Sequence, residues 1–125
     1  MKYKQMYNVL FETVSDIMVM PEADKLLCYK YFEPVFFPKN TIIESAGKIP
    51  QYQYFIVTGI MRNFYFNDLG EEITTDMNNE SRFFTSYNHF ANSTISNENI
   101  ECITECSLLR IKRDDVDILY SKSII

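Results

Sequence analysis

Apolar and polar positions change their period as the chain proceeds. Tyr3, Met6, Tyr7, Leu10, Phe11, Val14, Ile17 and Met18 recur at three- and four-residue spacing, with Lys4, Asn8, Glu12, Ser15 and Asp16 on the opposite side. This predicts an amphipathic helix of about four turns. Pro21 stops it and opens a short second helix over 22–30, since proline suits a first helical turn. From Tyr31 the pattern turns to β. The run 32–37 is aromatic-rich but contains Pro34, so it reads as an edge strand. Pro38-Lys39-Asn40 is a turn, 41–44 a short strand, and Ser45-Ala46-Gly47-Lys48 another turn.

The stretch from Gln51 to Met77 organises the rest. Strands are predicted at 52–57, 60–66 and 71–77. Gly59 stands where the chain bends sharply or passes close to another backbone, and Asn67-Asp68-Leu69-Gly70 closes a hairpin. Phe83-Phe84 is a short apolar pair. Residues 85–96 lack strand alternation and read as a short helix or compact loop. A strand over 99–105 with a hairpin partner over 107–112 follows, then a final helix over 114–120 that opens on Asp114 and Asp115. Many short strands separated by turn signals predict a barrel or double-sheet jelly roll, mostly β, with flanking helices.

A chain of 125 residues suits one domain with one core, and 46% hydrophobic content excludes disorder. The net charge of −5 speaks against nucleic-acid binding by this chain, because phosphate contacts require a basic face. No apolar run reaches the roughly 20 residues of a membrane span, and no membrane partner is expected. The N-terminus carries Lys2, Lys4, Gln5 and Asn8 among its apolar residues, unlike a signal peptide. Three cysteines without framework spacing suit a reducing cytoplasm.

Candidate chemistry is sparse. A lone histidine, His89, cannot build a metal centre, and neither metal nor cofactor is expected. Cys102 and Cys106 read as small core residues, with Cys106 at or just past a turn; only Cys28 remains as a further ligand. No nucleophile pairs with His89, and Glu71 and Glu72 point to opposite faces of a strand, so no catalytic group is assigned. Arg62, Arg82 and Arg110 could bind an anion, but a surface or salt-bridged role is the simpler reading. Strand alternation places Ile60, Arg62, Phe64 and Phe66 on one face, and Met61, Asn63 and Tyr65 on the other.

The order of elements, with Tyr54-Phe55-Ile56-Val57-Thr58-Gly59 before the bend and Asp68-Leu69-Gly70-Glu71-Glu72 at the hairpin, resembles the effector-sensing domain of the Crp/Fnr transcription regulators. Pro38 to Ile43, Gly47, Phe83 to Tyr87 and Cys106 to Ile111 extend the likeness, which covers 18–120. It is most similar to a divergent branch common in Bacteroidetes-type bacteria. The resemblance implies a jelly-roll barrel of the cyclic-nucleotide-binding type and a cytoplasmic, bacterial, non-enzymatic sensor. It divides the chain into N-terminal helices (1–31), a β-barrel (32–112) and the start of a C-terminal helix (113–125), with no DNA-binding domain in the chain.

Nucleotide-binding members of that family open a phosphate-binding helix with Gly-Glu and close the cassette with Arg-Ser/Thr-Ala. Here Thr85-Ser86 and Ser96-Asn97-Glu98 stand in those places. The phosphate and ribose contacts are therefore expected to be lost. The pocket expected from this alignment comprises Asn63, Thr75, Met77, Ser86, Tyr87, Ser96 and Asn97, and suits an unidentified small-molecule effector without strong negative charge. DNA would be contacted only through a separate C-terminal domain, and a homodimer is compatible. Three other readings stay open: a stand-alone ligand-binding domain of this fold, whose pocket can also be filled by its own side chains; a protein-interaction domain; and, last, a cupin-like enzyme, for which the metal cluster is missing.

Overall fold

Two helices lead the chain. In the computed structural model, which describes residues 3–122 and leaves the side chains of Tyr87, Asn88 and Tyr120 undescribed, α1 (Tyr3–Ser15) buries Met6, Tyr7, Leu10 and Phe11. It ends about one turn earlier than its apolar pattern predicts, leaving Ile17 82% exposed. The Thr13 and Ser15 hydroxyls donate to the Val9 and Phe11 carbonyls, and the amides of Asp16, Ile17 and Met18 close turns on Glu12 and Val14. Such local bonds compete with continuation of the helix. Pro21 caps α2 (Glu22–Tyr31) from just outside. Its carbonyl accepts from the Asp24 and Lys25 amides, while Glu22 and Asp24 occupy the first turn and Lys30 the last.

The eight strands are β1 (Phe32–Phe37), β2 (Thr41–Glu44), β3 (Tyr52–Thr58), β4 (Met61–Phe66), β5 (Glu72–Asn78), β6 (Arg82–Phe84), β7 (Asn99–Cys102) and β8 (Cys106–Lys112). Helix α3 (Tyr87–Asn92) lies between β6 and β7, and α4 (Arg113–Lys122) follows β8. They form two four-stranded antiparallel sheets, ordered β1-β8-β3-β6 and β2-β7-β4-β5. The architecture is a jelly-roll of mostly β structure with flanking helices. Strand β1 is an edge, as Pro34 requires, and pairs only with β8. The Asn67–Gly70 turn closes β4 onto β5, with the Asn67 side chain accepting from the Leu69 and Glu71 amides.

One expectation fails. The strand predicted over 99–105 stops at Cys102, and β7 and β8 are not a hairpin: they belong to different sheets. The chain crosses between sheets at 103–105 for the same reason that it crosses at Gly59. The two crossings lie together, joined by Ile103 N–H to the Ile60 carbonyl at 2.9 Å and Ile60 N–H to Thr104 Oγ1 at 3.0 Å. Gly59, at φ +111°, permits this contact: a Cβ there would lie 2.6 Å from the Glu105 carbonyl oxygen and 2.6 Å from Cys106 Sγ.

Strand β3 is buried on both faces. Tyr54 and Ile56 point between the sheets to Met61, Phe84, Ile100 and Leu108. Phe55 and Val57 point outward to a second layer made with α1, α2 and α4. Cys102 and Cys106 lie inside the first of these clusters, both fully buried, so Cys106 is core rather than turn. Cys28 is buried with the helices, where burial pushes its thiol pKa up to about 11.

Candidate functional site

A cavity of about 230 Å³ opens beside the end of β2, the 45–51 segment and the entry to α3. Backbone bonds tie its walls together: Gly47 N–H to the Ser96 carbonyl at 2.8 Å, and Ser96 N–H to the Lys48 carbonyl at 2.9 Å. The Asn99 side chain adds a bond from the Ala46 amide at 2.8 Å. Ile43, Ile100 and Tyr52 supply apolar lining; Glu44, Lys48, Ser86, Ser96 and Glu98 supply the polar groups.

Glu98 is the hub of the polar wall. Its Oε1 accepts a 2.8 Å hydrogen bond from Ser86 Oγ, and its Oε2 accepts from Thr75 Oγ1. The Glu98 amide donates to Ser96 Oγ at 2.9 Å, and the two serine oxygens lie 3.2 Å apart. His89 Nδ1 stands 3.0 Å from Ser86 Oγ and 3.9 Å from Glu98. Thr75 is the extra residue in the register of β5 against β4, where Asn63 pairs with Asp76 and Phe64 with Thr74. Glu44 forms the other acidic wall. Gln51 N–H donates to its Oε1 at 2.6 Å, while Oε2 is buried without a hydrogen-bond partner. Burial raises the Glu44 pKa above the usual carboxylate value, against the lowering influence of the Gln51 amide, the Tyr54 hydroxyl, the Tyr52 amide and the positive charge of Arg113.

Of the seven residues predicted for a pocket, Ser86 and Ser96 line this cavity and Thr75 reaches it through Glu98. Asn63 lies one layer behind. It is buried, and its Nδ2 donates to the Thr85 carbonyl at 3.1 Å. Met77 and Asn97 do not line it. Met77 is 54% exposed and pairs with Arg62 across the second sheet, and Asn97 faces solvent. The Tyr87 side chain lies outside the described residues.

Glu44 and Lys48 were missed by sequence reasoning. Alternation from Ile42, which is exposed, would send Glu44 outward. An extra residue at Ile43 resets the register, so that Ile42 pairs with Glu101 and Glu44 with Ile100.

The arginines stand elsewhere. Arg62 lies opposite Asn63, as alternation predicts. It is bonded to Glu101 at 2.7 Å and Glu72 at 3.0 Å and is stacked 4.1 Å from the Phe64 ring centroid. Arg110 is held by Glu33 at 2.7 Å and lies over Tyr52; Arg82 is exposed on β6. Arg113, at the start of α4, spans to the Pro50 carbonyl at 2.5 Å, the Phe90 carbonyl at 2.5 Å and Ser93 Oγ at 3.0 Å, with its guanidinium over the Phe90 ring. It thereby ties α3 to α4. Among the described residues no three His, Cys, Asp or Glu side chains converge as metal ligands, and no helix is long and apolar enough to cross a membrane.

Comparison with known proteins agrees with this architecture. The catabolite activator protein of Thermus thermophilus superposes with a TM-score of 0.69 at 20% identity, over 81% of this chain and 47% of that one. A regulatory subunit of a cAMP-independent protein kinase A from Trypanosoma brucei, a triple variant bound to cAMP in its A site, gives 0.76 at 15% identity, over 98% and 43%. The sensor domain of the transcriptional regulator DNR from Pseudomonas aeruginosa gives 0.74 at 14% identity, over 97% and 78%. The chain thus spans about half the length of the first two. At these identities the likeness is one of fold. No curated protein sequence matches the chain. The profile of the cyclic nucleotide-binding domain matches residues 34–123, which takes in both sheets and α4, and the chain therefore belongs to the cyclic nucleotide-binding domain family.

Proposed function

We propose that this chain is a single effector-sensing domain of a Crp/Fnr-like transcription regulator in which the contacts to a cyclic nucleotide's phosphate and ribose have been lost. One observation carries the reading. Ser86 and Ser96, which stand at the two charged positions of the phosphate cassette, are bonded to each other and to Glu98 at the cavity wall. A phosphate entering there would meet a carboxylate in place of an arginine. A charge-assisted bond contributes about 1.5–3 kcal/mol, so the loss is at least about tenfold in affinity before repulsion is added. The Trypanosoma brucei relative supports the same logic. It is described as cAMP-independent, and the variant of it bound to cAMP gains an arginine and loses a glutamate.

The output is a population shift rather than catalysis. An effector in the cavity favours one placement of α3, which starts beside Ser86, and Arg113 carries that placement to α4. DNA is contacted by a separate domain, and the protein works in the cytoplasm. Isothermal titration of the chain with cyclic AMP and cyclic GMP at millimolar concentration should give heats of dilution only. A micromolar Kd for either nucleotide overturns the reading.

A further inference from the structure

We propose that Cys102 and Cys106 form a dithiol–disulfide couple oxidised by peroxide, with Cys106 as the attacking thiolate and Cys102 as the resolving thiol. Position is the first reason. Cys102 ends β7 in one sheet and Cys106 begins β8 in the other, with the crossover 103–105 between them. Both side chains are fully buried in the cluster between the sheets, with Met61, Ile100 and Leu108. Both are free thiols, and they lie within hydrogen-bonding reach of each other. Disulfide formation requires two sulfurs that can meet, and the crossing of the chain supplies that here.

The two sulfurs differ, which is the second reason. Cys106 Sγ lies against the Gly59 bend, 3.5 Å from the Ile60 carbonyl oxygen and 3.4 Å from that of Thr104. The Cys102 thiol beside it favours the Cys106 thiolate, drawing the Cys106 pKa down to about 7 against the opposing effect of burial. The same contact, together with burial, pushes Cys102 up. Cys106 also forms part of the wall of a cavity of about 210 Å³ at the end of β1, with Phe36, Phe37, Pro38, Glu105 and Ser107. That wall carries a carboxylate and no basic side chain, which suits a small uncharged oxidant such as hydrogen peroxide over an anionic one. Cys28 is the internal contrast. It is buried among the helices, where burial pushes its pKa up to about 11, and a thiol in that state is inert.

The Cys106 thiolate attacks one peroxide oxygen. The O–O bond breaks, giving a Cys106 sulfenic acid and a hydroxide that takes up the proton Cys106 had released. The Cys102 thiol, losing its proton, then attacks the Cys106 sulfur; the S–O bond breaks and that oxygen leaves as water. Two thiols and one peroxide become one disulfide and two waters. The bond staples the end of β7 to the start of β8 and withdraws the Cys106 thiol donor from the Ile60 and Thr104 carbonyls, where the two crossings meet. A reducing compartment returns the pair to the dithiol, as for other transient cytosolic disulfides. The couple requires neither a nucleotide nor any other effector in the cavity beside Glu98.

The test is thiol mapping of the 125-residue chain, reduced, freed of reductant and treated with hydrogen peroxide in the absence of denaturant. The protein is then quenched, unfolded and alkylated, and intact and peptide masses locate each sulfur. Cys102→Ser and Cys106→Ser are treated in parallel with dimedone present. Wild type is expected to pass from three alkylatable thiols to one, that of Cys28, with the mass of two hydrogens lost and full return on adding dithiothreitol. The pair should be consumed at least about tenfold faster than Cys28. Cys102→Ser should trap dimedone on Cys106, and Cys106→Ser should trap none. The proposal is overturned if folded wild type keeps all three thiols, if Cys102 and Cys106 react no faster than Cys28, if the bond formed joins two chains or involves Cys28, or if the dimedone adduct falls on Cys102. Wild-type mapping decides alone should either serine variant fail to fold.

Discussion

Ser86 Oγ donates a 2.8 Å hydrogen bond to the Glu98 carboxylate, and this one contact joins two residues of the cavity wall. The serine stands in the cavity and the glutamate faces the same space, so sequence positions twelve apart act as one electrostatic unit. A neutral hydroxyl spent on a neighbouring carboxylate has no proton left for a phosphate.

Rebuilding the cassette should restore nucleotide binding in steps. Ser86→Glu with Ser96→Arg supplies the ribose and phosphate partners but leaves Glu98 beside the new arginine. Adding Glu98→Ala frees that arginine for the phosphate. Calorimetry with cyclic AMP should show the triple variant binding at least about tenfold more tightly than the double variant, from roughly 1.5–3 kcal/mol per charged bond. Equal, negligible binding in both would place the cassette elsewhere along the chain.

Gly59→Ala should be among the most damaging small substitutions. The residue holds φ at +111°, and the added methyl would stand 2.6 Å from the Glu105 carbonyl oxygen and from Cys106 Sγ. Strain at such a backbone costs about 1–3 kcal/mol, and a clash with main chain adds to it. Urea unfolding should report a loss of at least about 2 kcal/mol. A loss below about half a kcal/mol would show that the two crossings can separate freely. Gly70→Ala, at φ +79° but with nothing within 4 Å of the new methyl, should cost less.

Glu44 should make stability depend on pH in a recognisable direction. Burial raises its pKa above the ordinary value of 4.5. A group with a raised folded pKa contributes stability that is complete below the unfolded pKa and is lost as pH rises through the folded one. Wild-type protein should therefore lose thermal stability relative to Glu44→Gln as pH climbs from about 4.5 into the raised range. Parallel melting curves from pH 4 to pH 8, or a trend of opposite sign, would contradict the burial of this carboxyl.

Arg62 should matter for stability and not for the cavity. It bridges Glu101 and Glu72 and stacks on Phe64 across the outer face of the second sheet, and 17% of its side chain remains exposed. Arg62→Ala should lower unfolding free energy by about 1–2 kcal/mol, the scale of a partly shielded ion pair with a cation–π contact. Ligand titrations should be unchanged. A changed ligand affinity would mean that the second sheet relays the state of Glu101 to the cavity.

The strands that bound the barrel were legible because their causes are local. Pro34 forces an edge, the Asn67-Asp68-Leu69-Gly70 tetrad forces a hairpin, and Gly59 forces a bend; each acts within a few residues. The apolar face of α1 was equally plain, although its last turn was lost to side chains that bond back to their own helix. Ser86 and Ser96 were reached through the ordered likeness of the chain to a known domain, and Arg62 was rightly set opposite Asn63 by alternation.

What escaped prediction is non-local. The hairpin expected over 99–112 is a crossover, because pairing is decided by which sheet each strand can complete, and that depends on β1 and β3 some fifty to eighty positions away. Extra residues at Ile43 and Thr75 invert the alternation on which side-chain direction is read. That is how Glu44 turns into the cavity and Thr75 meets Glu98. Met77 and Asn97, chosen by position along the chain, ended at the surface. Periodicity, turn chemistry and residue type belong to the chain itself. The charge of the cavity was decided by tertiary structure, because only the long-range pairing of β2 with β7, some fifty-five positions apart, brings carboxylates from β2 and from the segment before β7 around one space.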